Sequence, residues 1–356
     1  MDIFESTTSY ETWMRQHISV VESHLRHKHA AMRKELFTFL KGTFYRWIQL
    51  WTEHMPRSIK NAPKTLAVGD LHVDSFGTWR DLEGRLVWGI DDFDEAWPLP
   101  YTNDLVRLAA SVKLAIDANL LHLNLRDARG YLAEGYRKGL RTGGAPITLA
   151  EREQHLERLG IDAIKPIDHF WRKLNMLPVA RPRPPRDARH ALEHSLPHPF
   201  EFKVVRRVAG TGSLGRPRFL AIGEWKGALI AREAKAMLPS ACAWLDRRSP
   251  RRTYGEEILE LAVRAHDPFQ EVRNGWLIRR LSPDSNPIEI FNWPKKRDEM
   301  ILLGSMGREL ANVHVGSKLR VPAILNHLGK QDRSWLRSAA KKMAWALEVD
   351  WHKFRN

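Results

Sequence analysis

Residues 68–104 read VGDLHVDSFGTWRDLEGRLVWGIDDFDEAWPLPYTND, and the fold is decided here. The stretch holds nine acidic residues among strand-forming apolar ones. A short apolar run, Leu66 to Val68, ends at Gly69-Asp70. Phe76 to Arg80 can form a strand, Asp81-Leu82-Glu83-Gly84 has turn chemistry, and Arg85 to Ile90 can return. Such a hairpin brings its ends together, with Asp70, His72 and Ser75 before it and Asp91, Asp92 and Asp94 after it. Carboxylates held close repel one another unless a cation or proton neutralises them. Oxygen-rich clusters of this kind suit Mg²⁺ or Mn²⁺. The plainer alternative is a set of solvated turn residues, but most of these acids flank apolar strands instead of filling the loop.

GDLHVDSFG, DDFDE and NDLVRLAAS resemble the GDxHxxNFG, NDFDE and WDLKRLAAS segments of the bacterial domain of unknown function 2252. They also resemble the catalytic core of aminoglycoside-phosphotransferase-like kinases. The likeness runs from about Lys28 to about Ser317. It implies an α+β, protein-kinase-like fold of two lobes, with Asp70 and His72 in the catalytic loop. It implies Mg²⁺ held by Ser75, Asp92 and Asp94, and ATP as phosphoryl donor to an unidentified hydroxyl acceptor, a small molecule or a protein.

The 356 residues allow one large or two modest domains. Composition is that of a soluble globular chain, 43% hydrophobic and 28% charged. There is no apolar run of membrane-spanning length and no secretory signal at the start. The single cysteine, Cys242, excludes an intrachain disulfide and a cysteine zinc site, and a reducing cytoplasm is the expected compartment. A net charge of +15 admits nucleic acid, phosphorylated substrates or anionic surfaces as partners. The 14 tryptophans are scattered, as core residues are.

Helical spacing predicts helices over Tyr10 to His27 and Met32 to Trp51, with Lys41 of the second either snorkelling or contacting substrate. A further helix starts at Asp104, which suits an N-cap, and carries Leu105, Leu108, Val112 and Ile116 on one face. Kinase-like folds use the matching aspartate to brace the catalytic loop. Residues 124–175 read as helical and carry little more. Met176 to Pro199 opens with MLPVARPRPPRDARH, a proline- and arginine-rich stretch expected to be a linker or extended surface segment. It separates a helical lobe (1–175) from a sheet lobe (200–295), which C-terminal helices (296–356) follow.

In the second lobe, Phe202 to Val208 leads into GTGSLG, where Gly210, Gly212 and Gly215 make GxGxxG. A dinucleotide fingerprint needs a helix next. Pro217 and FLAI instead predict a strand, the arrangement of a kinase loop that covers ATP phosphates with backbone N–H groups. Nucleotide contacts are therefore expected at Gly210, Gly212, Ser213 and Gly215, a plain glycine-rich hairpin turn being the alternative. The family's lysine falls on Arg232, and its helix glutamate on Glu260; Lys235 lies out of register with that lysine. His314 reads as a satisfied surface histidine.

The GDLH loop precedes the glycine loop by roughly 140 residues, the reverse of the kinase order. One shared site therefore implies a circular permutation or an equivalent rearrangement. It also requires the two loops to face each other on the order of ten ångströms apart, with Arg232 in the cleft beside Glu260. Three departures from the motifs stand out: Ser75 for asparagine, Arg232 for lysine, and Val68 for histidine. They open a second reading, a pseudoenzyme that binds nucleotide or nucleic acid as a regulatory module. A metallophosphoesterase is a third, but its upstream Asp-x-His and downstream Gly-Asn-His are missing.

Overall fold

The structure is a computed structural model and describes residues 1–149, 156, 164–246, 253–285 and 297–356. The chain opens with helices α1 (Ile3–His17), α2 (Glu22–Lys34), α3 (Leu36–Gly42), α4 (Phe44–His54) and α5 (Arg57–Lys60). Asp2 starts α1 with a capping box: its carboxylate accepts from the Glu5 N–H at 2.9 Å, and Glu5 accepts from the Asp2 N–H at 3.0 Å. The expected helix over residues 10–27 is in fact two, because the β-branched Ile18 and Val21 take extended backbone between them.

Strand β1 (Lys64–Ala67) then leads to Asp70. β2 (Phe76–Arg80) and β3 (Leu86–Ile90) pair antiparallel from Phe76 opposite Ile90 to Arg80 opposite Leu86. This is the hairpin read from the sequence. Its turn is held by Asp81, whose carboxylate accepts from the N–H groups of Glu83 and Arg85 at 3.1 and 2.9 Å. β4 (Trp97–Pro100) returns along β1. The loop before β2 and the acidic segment after β3 therefore share one end of the hairpin.

Helix α6 (Tyr101–Asp117) runs behind this end, followed by α7 (Leu125–Thr142) and the short strand β5 (Ile147–Thr148) against β3. α8 (Ile167–Asn175) and α9 (Arg186–His194) follow. The sheet lobe holds β6 (Lys203–Arg206), β7 (Arg218–Trp225) and β8 (Ala228–Ala236), helices α10 (Ala241–Leu245) and α11 (Gly255–Leu261), then β9 (Glu271–Arg273) and β10 (Trp276–Leu281). Its five strands are antiparallel in the order β6-β7-β8-β10-β9. The chain closes with α12 (Arg297–Val315), α13 (Val321–Lys330) and α14 (Trp335–Arg355). The fold is thus α+β, as expected.

Two expectations need correction. The proline-rich segment is not simply a linker. Pro185 caps α9, whose Ala188, Ala191 and Leu192 are buried against Phe219, Ala221, Ala234 and Ile278 on the outer sheet face. Small residues at helical spacing let that helix lie close to the sheet. The helix carrying Glu260, expected to pack the antiparallel sheet of residues 202–281, does not cover it; α11 is seven residues long and meets it at β9. The inner face packs Leu220, Ile222, Ala231 and Leu281 against Phe170 and Leu174 of α8.

A large core cluster joins the helices to the hairpin. α7 and α12 approach through glycines: a Cβ on Gly135 would sit 2.0 Å from the Gly304 carbonyl oxygen. No described helix is long and apolar enough to cross a membrane.

Candidate functional site

The loop after β1 is fixed from behind. The Asp104 carboxylate accepts from the Val68 N–H at 2.7 Å and the Gly69 N–H at 3.0 Å. Its second oxygen also meets His314 Nε2 at 3.1 Å, and His314 Nδ1 meets the Tyr136 hydroxyl at 2.7 Å. A carboxylate can only accept, so Nε2 carries the proton. Asp104 is not an N-cap: α6 begins at Tyr101 after Pro100, which places Asp104 fully buried in the first turn. His314 is not a surface residue either; it is fully buried as the second layer of this brace. Gly69, at φ +85°, is required here because a Cβ would lie 2.3 Å from the Glu95 carbonyl oxygen.

This bracing aims Asp70. Arg107 Nε donates to Asp70 Oδ1 at 2.9 Å, and its Nη2 bonds the same oxygen and the Leu40 carbonyl. The guanidinium is fully buried over the Phe44 and Trp47 rings. Burial raises the Asp70 carboxyl above its ordinary range, against the pull of Arg107. Asp70 Oδ2 is turned towards Gly212, where an added Cβ would stand 3.4 Å away.

His72 lies in the same loop. Its Nδ1 is buried and makes no hydrogen bond among the described residues. Burial, helped by nearby Lys41, pushes its pKa down to about 3. A histidine depressed in the native state contributes stability above its ordinary pKa and loses it as pH falls towards 3. Melting curves between pH 6.5 and 4 should therefore fall less steeply for His72→Gln than for the parent; equal slopes would contradict a neutral, buried ring. The Ser75 hydroxyl is engaged inside the loop, accepting from the His72 N–H at 3.1 Å and donating to the Asp70 carbonyl at 3.4 Å.

The acidic segment after β3 meets a set of cations. Asp94 bonds Lys235 Nζ at 2.6 Å and Arg216 Nη1 at 3.1 Å. Glu95 bonds Arg216 Nη2 at 3.0 Å and the Ala241 N–H at 2.7 Å. The half-exposed Asp92 lies 3.6 Å from Lys235. Desolvation by the surrounding protein would raise its pKa, but Lys235, Arg218, Arg279 and Arg216 outweigh this and hold it down at about 2. Attraction to these cations, not repulsion among acids, dominates at Asp92. Among the described residues, no three His, Cys, Asp or Glu side chains are grouped to hold a metal ion.

The glycine loop joins the neighbouring strands β6 and β7, so the strand–glycines–strand reading holds. Lys28 Nζ donates to the Gly212 carbonyl at 3.2 Å, the Val21 N–H to the Gly215 carbonyl at 2.8 Å, and Arg218 to the Ser213 hydroxyl. Gly210 and Gly215 take positive φ. Val68, Asp70, Asp92, Asp94, Gly212 and Ser213 line one cavity of about 20 Å³. The two loops thus meet across a cleft narrower than expected, with room for about one water.

Arg232 and Glu260 are not part of it. Strand alternation sets Glu233 and Lys235 on the inner sheet face and Arg232 on the outer one. There Arg232 lies 3.9 Å from the Phe269 ring centre and donates to the Ser195 carbonyl at 3.2 Å. Glu260 is exposed, and no ion pair among the described residues joins it to Arg232. Lys235, beside Arg216, is a buried cation at the acids, placed there by the register of β8. Glu233, two residues earlier, accepts from Arg207 at 2.6 Å, Arg218 at 3.0 Å and Arg279 at 2.8 Å. These cations hold Glu233 well below the usual carboxylate range despite its burial.

A larger cavity, about 560 Å³, opens beside this site. Thr78, Trp79 and Asp91 of the hairpin, Arg279 and Leu281 of β10, and Phe170 and Leu174 of α8 form its walls. Gly210 reaches its edge.

Residues 20–169 match the family described as "Uncharacterized protein conserved in bacteria (DUF2252)". The match covers the braced loop, the hairpin and the acidic segment; it ends before the glycine loop. No curated protein matches the chain, and no solved structure does.

Proposed function

We propose that this chain is an ATP- and Mg²⁺-dependent phosphotransferase of protein-kinase-like architecture, acting on a hydroxyl acceptor. One observation carries the reading. Asp70, Asp92, Asp94, Gly212 and Ser213, far apart in sequence, line a single cavity. The sheet lobe supports it. A glycine loop joins its first two strands and Lys235 stands on the third, which is how kinase lobes treat nucleotide phosphates. The lobe follows the Asp70 loop in the chain, as a circular permutation requires.

Asp70 orients an acceptor hydroxyl and takes its proton, with Arg107 fixing the carboxylate. His72, neutral and buried, shapes the loop. Asp92 and Asp94 are the residues that would hold Mg²⁺; two carboxylates suffice for an ion whose other ligands are phosphate oxygens and waters. The ion would supply charge neutralisation at the phosphates. Ser75 would add a ligand only by giving up its bonds within the loop. The N–H groups of the glycine loop and Lys235 neutralise phosphate charge, the role that Arg232 and Glu260 were expected to share.

A thermal-shift screen of nucleotides with and without Mg²⁺ tests the reading, since any ligand that binds the native state raises the melting temperature. Mg·ATP should stabilise the protein, and ATP without metal much less. Asp92→Asn should abolish the metal-dependent part. It should also lower the ligand-free melting temperature slightly, because surrounding cations lose a partner. Lys235→Met should remove nucleotide stabilisation, whereas Arg232→Lys should leave it intact. Equal loss in both would return the phosphate role to Arg232.

The second reading, nucleotide binding without turnover, is favoured by the closed cleft and by Asp94, whose carboxylate is already bonded to Lys235 and Arg216. Mg·ATP binding with no hydrolysis or transfer would select it.

A further inference from the structure

The larger cavity has a chemistry of its own. Lys165, Lys173, Arg207, Arg264, Arg279 and Arg280 face it, opposed by Asp91 and Asp267. Arg207 and Arg279 share one carboxylate, Glu233, with Arg218, so three guanidinium groups divide a single negative charge. Arg264 is more than nine-tenths buried, and its Nε has no hydrogen-bond partner among the described residues. Its Nη1 donates to the Ile90 carbonyl at 3.0 Å, and its guanidinium carbon lies 4.4 Å from the Trp79 ring centre. Arg280 Nε is likewise buried without a partner; its Nη2 bonds the Arg80 carbonyl at 2.8 Å and lies 3.5 Å from Asp267. Buried donors without acceptors are costly, and both guanidinium groups stand in the cavity wall among an excess of positive charge.

The opposite wall is apolar, formed by Phe170, Leu174, Leu177 and Leu281. About 560 Å³ lies within the range of small-molecule sites. We propose that this cavity binds a phosphate ester, the phosphate seated on Arg264 and Arg280 and the organic body against Phe170 and Leu281. Guanidinium groups match phosphate by paired N–H donors. The inference rests on the cavity alone and holds whether or not the neighbouring cleft transfers phosphoryl groups. The phosphate ester has two possible sources, a nucleotide or a phosphorylated acceptor, which the test separates.

The probes are ADP, glucose 6-phosphate, glycerol 3-phosphate and, as neutral control, glucose, titrated calorimetrically without Mg²⁺. At least one phosphate ester should bind the parent while glucose does not. Arg280→Gln should weaken that binding about tenfold or more, a loss typical of a charged hydrogen bond. Lys173→Gln, an exposed change that leaves folding intact, should weaken it several-fold, and Lys226→Gln, on a distant turn, not at all. If ADP displaces the sugar phosphate and shows the same losses, the ester is a nucleotide's. If both bind together, it is the acceptor's; either result supports the site. Failure of all three esters to bind the parent, or unchanged binding in both Arg280→Gln and Lys173→Gln, overturns it. Asp92→Asn should not alter this metal-free binding, so failure here is distinct from failure of the phosphotransferase reading.

Discussion

Replacing Arg107 by methionine should destabilise the protein by about 3–5 kcal/mol, the cost of removing one partner from a buried ion pair. Arg107 is fully buried, and it supplies Asp70 Oδ1 and the Leu40 carbonyl with donors at once. Methionine has similar length and packs well against Phe44 and Trp47, so little of the loss would come from a cavity. The double variant Arg107→Met with Asp70→Asn should recover a large part, since the unpaired carboxylate is gone. Urea unfolding of the four proteins measures the coupling directly. Additive losses would mean that the pair contributes no more than packing.

Glu233→Gln should cost a similar amount, roughly 3–5 kcal/mol, for the opposite reason: three guanidinium groups lose their shared anion. Glu233 is fully buried between Arg207, Arg218 and Arg279. The amide keeps the shape and one acceptor oxygen, so the loss reports charge. A variant that melts with the parent in salt-free buffer would show that these arginines are neutralised elsewhere.

The hairpin within residues 68–104 was legible because its signals are local. Two short strand-forming runs on either side of turn chemistry at Asp81 to Gly84 specify the hairpin, and the hairpin places Asp70 and Asp92 at one end. The strands around the glycine loop were legible for the same reason. What sequence did not yield is register and direction. Whether residue 232 or 235 faces inward depends on how β8 pairs with β7 and β10, and Arg218 opposite Lys235 fixes that only in three dimensions. Arg107 lay in a quoted motif, yet its partner is 37 residues away, and nothing local marks the pairing. The segment 176–199 was read as a linker because its prolines dominate the composition. The alanines of α9, which face the sheet, were hidden behind its arginines. Asp104 and His314 show the same limit, since burial decides their roles and burial is a property of the assembled fold.

The most direct measurement is amide hydrogen exchange with and without Mg·ATP. A single nucleotide site predicts slower exchange in both the glycine loop, residues 210–215, and the acidic segment, residues 91–94, at the same ligand concentration, with both effects absent in Lys235→Met. Protection of one segment without the other, or of neither, would contradict a shared site and with it the phosphotransferase reading.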